Sequence, residues 1–404
     1  MHLQINRHIT RLVCSRTGEE VEHGGWATPI GLSPDGYPIT IEYDLETIAK
    51  LDRGTGTGLW AHRNLLPVWN VPNDYAADVG LTPTIQSAAL SDRFGVDLWI
   101  KNENTNPTGS FKDRGLAVGV ALGAALGAEG FFLPTQGNAG VAGAFFSTRL
   151  GLLPCEVTMP DGYQGGFYHR AVEHYGGNVT FAGANIAAAG AHARQRMADE
   201  VKAGRRVDLS TFYEPGRLEG KKTMGLEIAE QFPDALPDWI IYPTGGGTGL
   251  VGIWKAFTEL VALGNIPIER NLPRMVAVQS EACAPVVGAF ARGDTSVSAI
   301  TSRGTVADGL DVPGAIMGHS ILDVLSKSEG TAVAVSETSI RRAFNDLGAI
   351  GIPAGYEAAA TVAALGSLTE SGIVERGQRV LLVNTGGPAV ALAKSTVAPD
   401  DSFL

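Results

Sequence analysis

From residue 79 onward, short continuous apolar runs alternate with longer stretches rich in Ala, Leu and Gly. The runs are VDLWIK (96–101), GFFLPT (130–135), PCEVTMP (154–160), GNVTFAG (177–183), PDWIIYPT (237–244), RMVAVQS (274–280), GTAVAVS (330–336) and QRVLLVN (378–384). Most of them run on without alternating apolar and polar positions. Strands covered on both faces read this way, because both rows of side chains meet apolar layers. Between them, 115–128, 139–150, 185–203, 220–232, 247–263 and 338–347 carry helical patterns. Strand–helix alternation of this kind predicts an α/β fold with parallel sheets. So many strands would make a very wide single sheet, so two sheets are expected. Residues 1–78 read instead as an irregular arm, with turn chemistry in GGWATP (24–29), LSPDGYP (32–38) and DRGTGTG (52–58).

Composition narrows the class. The 404 residues are 44% hydrophobic and 18% charged, the balance of a globular chain. No apolar run approaches the length of a membrane span, and the first residues are too polar for a signal peptide. Cys14, Cys155 and Cys283 lie far apart, which supports neither a disulfide framework nor a metal site and points to a reducing cytoplasm. A net charge of −11 argues against nucleic acid or an anionic membrane as partner. An anionic small substrate would need a local cluster of donors.

In open α/β sheets, ligands sit beyond the carboxyl ends of strands, so the residues after each run carry the chemistry. After WIIYPT come Gly245, Gly246, Gly247 and Thr248, opening a helix. Consecutive glycines let backbone N–H groups approach an anion, and the helix dipole adds a favourable field. The stretch is neither a Walker motif nor a dinucleotide fingerprint, which leaves a cup for one phosphate or a tight turn with close packing. After FFLPT, Asn138 reads as a helix N-cap or a ligand contact. Thr385, after VLLVN, caps the last helix or offers its hydroxyl to a ligand.

NPTGSFKDRG (106–115) places Lys112 where a turn runs into a predicted helix, 112–128. The helix dipole and the neighbouring Arg114 would both disfavour a charge on its amine. An amine of that kind is a competent nucleophile toward an aldehyde cofactor. A lysine, a phosphate cup, an Asn and a hydroxyl, each following a parallel strand, match the needs of pyridoxal 5'-phosphate. A hydroxyl at the pyridine nitrogen suits elimination and replacement better than transamination.

The chain resembles the threonine synthase family, within the tryptophan-synthase-β-like, fold-type-II pyridoxal phosphate enzymes. The resemblance rests on YDLE (43–46), GLWAHRNLLPV (58–68), LTPT (81–84), WIKNENTNPTGSFKDRG (99–115), EGKKTMGLEIAEQF (219–232), PDWIIYPTGGGTGLVGIWKAF (237–257), ADGLDVP (307–313) and VLLVNTGG (380–387). It implies two parallel-sheet, three-layer domains: a large cofactor-binding one from 79–114 and 215–404, and a small mobile one from 115–214. Lys112 would hold the cofactor covalently and move protons. Asn138 would meet the cofactor's 3'-oxygen, Gly245 to Thr248 its phosphate and Thr385 its ring nitrogen. The turn Thr135, Gln136, Gly137, Asn138, Ala139 would bind the substrate α-carboxylate through N–H groups. Ser110 and Arg114 are candidates for the substrate's distal anion, with an ion pair to Asp113 or Glu103 as the alternative for Arg114. A homodimer is the family expectation. The N-terminal LVCSRTGEEV resembles the family's zinc-ribbon-like segment, but of its usual cysteines only Cys14 remains, so no metal is expected.

The chain also departs from the family pattern. It has NAGVAG around Gly140, where a Ser or Thr is usual, and Asp311 where an Arg is common. PAGYEAAA surrounds Glu357, and Pro388 stands in TGGPAV. Glu357 reads as a helix N-terminal acid or a residue near the cofactor. His169 and His174 are five apart and make no metal pair; they read as helix-surface or cleft residues, with His169 a possible border of the substrate. The departures leave cofactor chemistry intact and bear on the substrate. The readings are threonine synthesis from O-phospho-L-homoserine, an ammonia-lyase or β-replacement on an unphosphorylated hydroxyamino acid, and a non-catalytic cofactor-binding protein.

Overall fold

The structure, a computed structural model, describes residues 3–23, 28–48, 56–151, 153–268 and 270–395. The arm holds strands β1 (Gln4–Ile5), β2 (Ile9–Cys14), β3 (Ile39–Tyr43) and β4 (Val68–Asn70). Then follow β5 (Thr84–Gln86), α1 (Ala88–Phe94), β6 (Asp97–Asn102), α2 (Lys112–Ala125), β7 (Gly130–Pro134) and α3 (Asn138–Arg149). Next come β8 (Cys155–Met159), α4 (Phe167–His174), β9 (Asn178–Phe181), α5 (Ile186–Lys202), β10 (Arg206–Asp208) and α6 (Gly216–Gln231). The chain continues with β11 (Trp239–Pro243), α7 (Thr248–Ala262), β12 (Arg274–Ser280), α8 (Pro285–Arg292) and α9 (Gly318–Lys327). It closes with β13 (Thr331–Val335), α10 (Glu337–Ala349), α11 (Tyr356–Glu370), β14 (Arg379–Asn384) and α12 (Ala389–Ser395).

Two sheets carry the fold, as expected from the number of strands. The larger has the order β13-β12-β11-β14-β6-β5, parallel throughout except for the edge strand β5. The smaller, β10-β7-β8-β9, is wholly parallel. Along β14, Val380 and Leu382 enter one apolar cluster with α1, α10 and α11 residues, while Leu381 and Val383 enter the other, with α6 and α7. Trp239 and Ile241 against Ile240 and Tyr242 repeat the alternation on β11. Both faces are therefore buried, which is why the runs are apolar without a period of two. The chain leaves the large sheet after β6, builds the smaller one with β7 to β10, and returns at β11. Segment 115–214 thus contains the four-stranded sheet.

The arm corrects the expectation of irregular structure. β2 pairs with β3 and β1 with β4, both antiparallel. The turn chemistry read at 24–29 and 52–58 lies largely outside the described residues. Leu59, Trp60 and Tyr75 are buried in the main core. The Trp60 Nε1 donates to the Val68 carbonyl at 3.0 Å, and the Tyr75 hydroxyl to that of Ala117 at 2.8 Å. Strands this short, broken by turns, leave no periodic signature.

Candidate active site

The strand order brings distant segments together. β6, β14 and β11 are adjacent, so the turns after Asn102, Asn384 and Pro243 lie side by side at their carboxyl ends. Those turns carry Lys112, Thr385 and the glycines 245–247. Ser110 and Gly386 form an antiparallel bridge, and the Gly387 amide donates to the Gly109 carbonyl at 3.1 Å. A Cβ on Gly386 would lie 3.5 Å from the Ser110 Cβ and 3.8 Å from the Asn138 Nδ2. Asn138, on the smaller sheet, therefore faces the end of β14 on the larger. It is the first residue of α3, whose N-cap is Gly137, so its amide is not spent on capping.

Lys112 starts α2. Its turn is fixed from behind: the Thr108 amide donates to the Asp113 carboxylate at 2.7 Å, the Thr108 hydroxyl reaches the same group, and the Lys112 amide donates to the Ser110 hydroxyl at 3.3 Å. Its amine lies 4.3 Å from the centroid of the Phe111 ring. Burial, then the Arg217 guanidinium, brings this amine from 10.5 down to about 7, against a smaller pull from Glu357. The expected direction holds, but the neighbouring cation is Arg217, not Arg114.

Arg114 is corrected on the same grounds. It has no exposed surface, and both of its carboxylate partners are buried as well. Its Nε and Nη2 donate to Glu103 at 2.6 and 2.8 Å, and its Nη1 and Nη2 donate to Glu227 at 2.6 and 2.8 Å. Lys101 joins Glu227 at 2.7 Å. Every Arg114 nitrogen is engaged, so it locks α2 to α6 and β6 and has no donor left for a substrate. Ser110 is fully buried in the turn.

The glycines after β11 form a cradle. A Cβ on Gly245 would run into the Gly309 carbonyl oxygen, and one on Gly246 would come within 2.8 Å of Thr211 Cγ2. Gly247 has φ 82°, the left-handed region open to glycine, and is the N-cap of α7, with Thr248 as its first residue. The first N–H groups of a helix have no carbonyl partner within it, so this start offers donors to an anion.

On the smaller sheet, the Gly137 amide donates to the Thr135 hydroxyl at 3.1 Å. Gln136 is half-buried and Ala139 buried. A side chain at Gly140 would sit 2.6 Å from Thr135 Cγ2, so the Thr135 methyl fills that volume while its hydroxyl bonds the Gly137 backbone. Asp311 accepts from the Ser302 hydroxyl. Glu357, in the first turn of α11, accepts from the Gly309 amide at 2.8 Å and so anchors the turn resting on Gly245. His169 accepts from the Gly165 amide and packs on Phe181 beside Glu173, which places it in its own helix surface; His174 is exposed.

The sequence reading missed Arg217. It is buried in the first turn of α6, with Nη1 donating to the Leu209 carbonyl at 2.6 Å. Among the described residues its Nε and Nη2 have no hydrogen-bond partner. Burial lowers its affinity for a proton, to about 10, and pushes neighbouring Glu214 up to about 7. The stretch GRLEGKKT offered a signal: Arg217 and Lys221 are four apart, on one face of a helix.

A nucleophilic lysine, a glycine cradle at a helix start, an Asn amide and a Thr hydroxyl at adjoining strand ends fit pyridoxal phosphate. The family described as pyridoxal-phosphate dependent enzyme matches residues 76–386, and the chain belongs to it. It is an enzyme of the lyase type that uses pyridoxal 5'-phosphate. Threonine synthase of Methanosarcina acetivorans is 33% identical over 355 residues, covering 86% of this chain and 84% of the relative. Threonine synthase of Methanocaldococcus jannaschii is 31% identical over 363 residues, covering 86% and 85%. Within the larger family the chain is thus a divergent member of the threonine synthase family. The fold is that of fold-type-II enzymes: maize serine racemase superposes with a TM-score of 0.64 at 21% identity, covering 76% of this chain and 88% of that one. A fungal L-serine ammonia-lyase from Rhizomucor miehei gives 0.66 at 20% identity, covering 78% and 98%. Among the described residues no helix is long and apolar enough to cross a membrane.

Proposed function

We propose that this enzyme converts O-phospho-L-homoserine and water to L-threonine and phosphate. The observation that carries the reading is Arg217: a buried guanidinium with two unpartnered nitrogens, close enough to Lys112 to act on its charge. Glu214 and Asp208 act on it only through their fields, without an ion pair among the described residues, in a chain of net charge −11. A substrate phosphate would supply the missing acceptors in bidentate geometry.

The other roles follow from position. Gly245 to Thr248 hold the cofactor phosphate, Asn138 its 3'-oxygen and Thr385 its ring nitrogen. Within the turn Thr135 to Ala139, the amides of Thr135 and Gly137 are taken up by the Thr158 carbonyl and the Thr135 hydroxyl, and those of Gln136, Asn138 and Ala139 receive the substrate α-carboxylate. When bound, the cofactor supplies an electron sink for negative charge at the substrate Cα. Lys112, uncharged above about pH 7, removes the proton from Cα and returns protons at neighbouring positions. Segment 115–214 is read as a small domain that closes over this cleft and excludes water, and the active assembly as a homodimer.

A second reading is an ammonia-lyase or β-replacement enzyme on an unphosphorylated hydroxyamino acid. Asp311 favours it, because with Asp308 it acts on Tyr163 in a segment where the family commonly has a cation. Replacing Arg217 by Leu separates the two readings. Under the first, the KM for phosphohomoserine rises at least tenfold while the spectrum of the bound cofactor is unchanged. An unchanged KM for phosphohomoserine overturns it.

A further inference from the structure

Arg217 is not the only buried cation of α6 that forms no ion pair among the described residues. Lys221, one turn on, is fully buried, and among the described residues it forms no ion pair. Other fully buried cations of this chain each hold a carboxylate: Lys101 with Glu227 at 2.7 Å, Arg114 with Glu103 at 2.6 Å, Lys222 with Glu219 at 2.6 Å. The Lys221 amine instead donates to the Phe111 carbonyl. It lies 4.0 Å from the centroid of the Phe111 ring, the same ring that the Lys112 amine faces at 4.3 Å. The two nitrogens are therefore no farther apart than the sum of those distances. Gly115 makes the room: a Cβ there would come within 3.0 Å of Lys221 Cε and 3.3 Å of its Nζ. A lysine built into the floor of the site at this expense in burial calls for a counter-charge.

Among the described residues none is free. The charged groups facing Lys221 are Lys112 and Asp113 from α2, Arg217 from its own helix and Glu103 from the turn after β6. Glu103 is taken by Arg114 and Asp113 by Thr108. Burial above all, then Lys112 where its amine is free of the cofactor, and Arg217, pushes the amine well below its ordinary range and so disfavours its charge until a further anion arrives. An anion beside Arg217 reverses the balance.

We propose that Lys221 is a proton-linked positioning residue of the distal-anion seat: as a phosphate group settles on Arg217, the Lys221 nitrogen takes one proton from solvent and its ammonium completes the positive charge of the seat. The proton binds the nitrogen lone pair, no other bond changes, and the bond to the Phe111 carbonyl is kept. The seat thereby favours dianions over monoanions and neutral groups, and phosphate binding weakens as pH rises. This rests on the reading of Arg217 as an anion site.

The test is calorimetric titration of inorganic phosphate into the cofactor-loaded enzyme at pH 8, in two buffers of different ionisation heat. Wild type is expected to take up close to one proton per phosphate bound. In Lys221→Gln, which keeps a donor for the Phe111 carbonyl, uptake falls toward zero and affinity drops about tenfold. The residual uptake in that variant measures Glu214, which also faces Arg217. Equal uptake in both proteins overturns the proposal. So does phosphate binding to wild type without uptake, which needs no variant. Uptake in a wild type that forms no threonine contradicts the proposed reaction and leaves the Lys221 role standing. Threonine formation with unaltered uptake in Lys221→Gln does the reverse.

Discussion

The Phe111 amide donates to the Thr385 carbonyl at 2.9 Å, joining the residue before the nucleophile to the end of a strand 270 or so positions away along the numbering. With the Ser110–Gly386 bridge and the Gly387–Gly109 bond, this makes the lysine turn and the β14 turn one rigid piece. Position of the amine then depends on the backbone at 386 and 387. A Cβ on Gly387 would run into the Asn104 amide oxygen, whereas one on Gly386 meets only ordinary contacts. Gly387→Ala should weaken cofactor binding about tenfold or more, and Gly386→Ala by less. Absorbance titration of the apoprotein with pyridoxal phosphate decides; the opposite ranking would show that the two turns are not coupled this way.

The Lys112 amine gives a pH signature. With its proton affinity lowered to about 7 in the fold and near 10.5 when unfolded, the unfolded chain holds one more proton between those values. The resulting penalty on the folded apoprotein is complete below about pH 7 and is relieved as pH climbs toward 10.5. Stability from this group therefore rises with pH across that window, and Lys112→Met should flatten the rise. The rate of cofactor capture by the wild-type apoprotein should climb through a midpoint near 7. Urea unfolding and stopped-flow absorbance measure the two; a capture midpoint near 10 would contradict the burial argument.

Arg114 should behave as a structural residue. Removing it strands Glu103 as a buried charge and leaves Glu227 with Lys101 alone, and Arg114→Met should cost about 3–5 kcal/mol of stability. The folded fraction should keep its KM for substrate. A raised KM with unchanged urea stability would return Arg114 to the substrate pocket.

The phosphate cradle makes a further prediction. Gly245→Ala places a Cβ on the Gly309 carbonyl, and both groups are backbone, so the cup must open. Affinity for pyridoxal phosphate should fall at least tenfold while affinity for pyridoxal, which has no phosphate, stays within about twofold. Equal losses for both would mean that the cradle does not hold the phosphate.

Much of this is legible in the sequence. Buried parallel strands leave uninterrupted apolar runs, and the turns that follow them carry the chemistry, so Lys112, Asn138, the 245–248 cup and Thr385 could be picked out as strand-end residues. Their convergence could not be read, because it depends on β14 inserting between β6 and β11. Arg114 and Arg217 were confused for a related reason. Adjacency to Lys112 in sequence suggested the former, but successive helix residues point to different faces, and Arg114 turns toward Glu103 and Glu227. Arg217 approaches from another helix, a tertiary relationship without a local signature. The arm hid its strands because two to six residues broken by turns carry no period.

The central claim is that the buried cations serve a substrate phosphate. The most direct measurement incubates the cofactor-loaded enzyme with O-phospho-L-homoserine and, separately, with L-threonine and L-serine, quantifying phosphate, threonine, ammonia and 2-oxo acid. The account predicts equimolar phosphate and threonine from phosphohomoserine, with little 2-oxo acid from any of the three. Ammonia and 2-oxo acid from threonine or serine, with phosphohomoserine left intact, would contradict it.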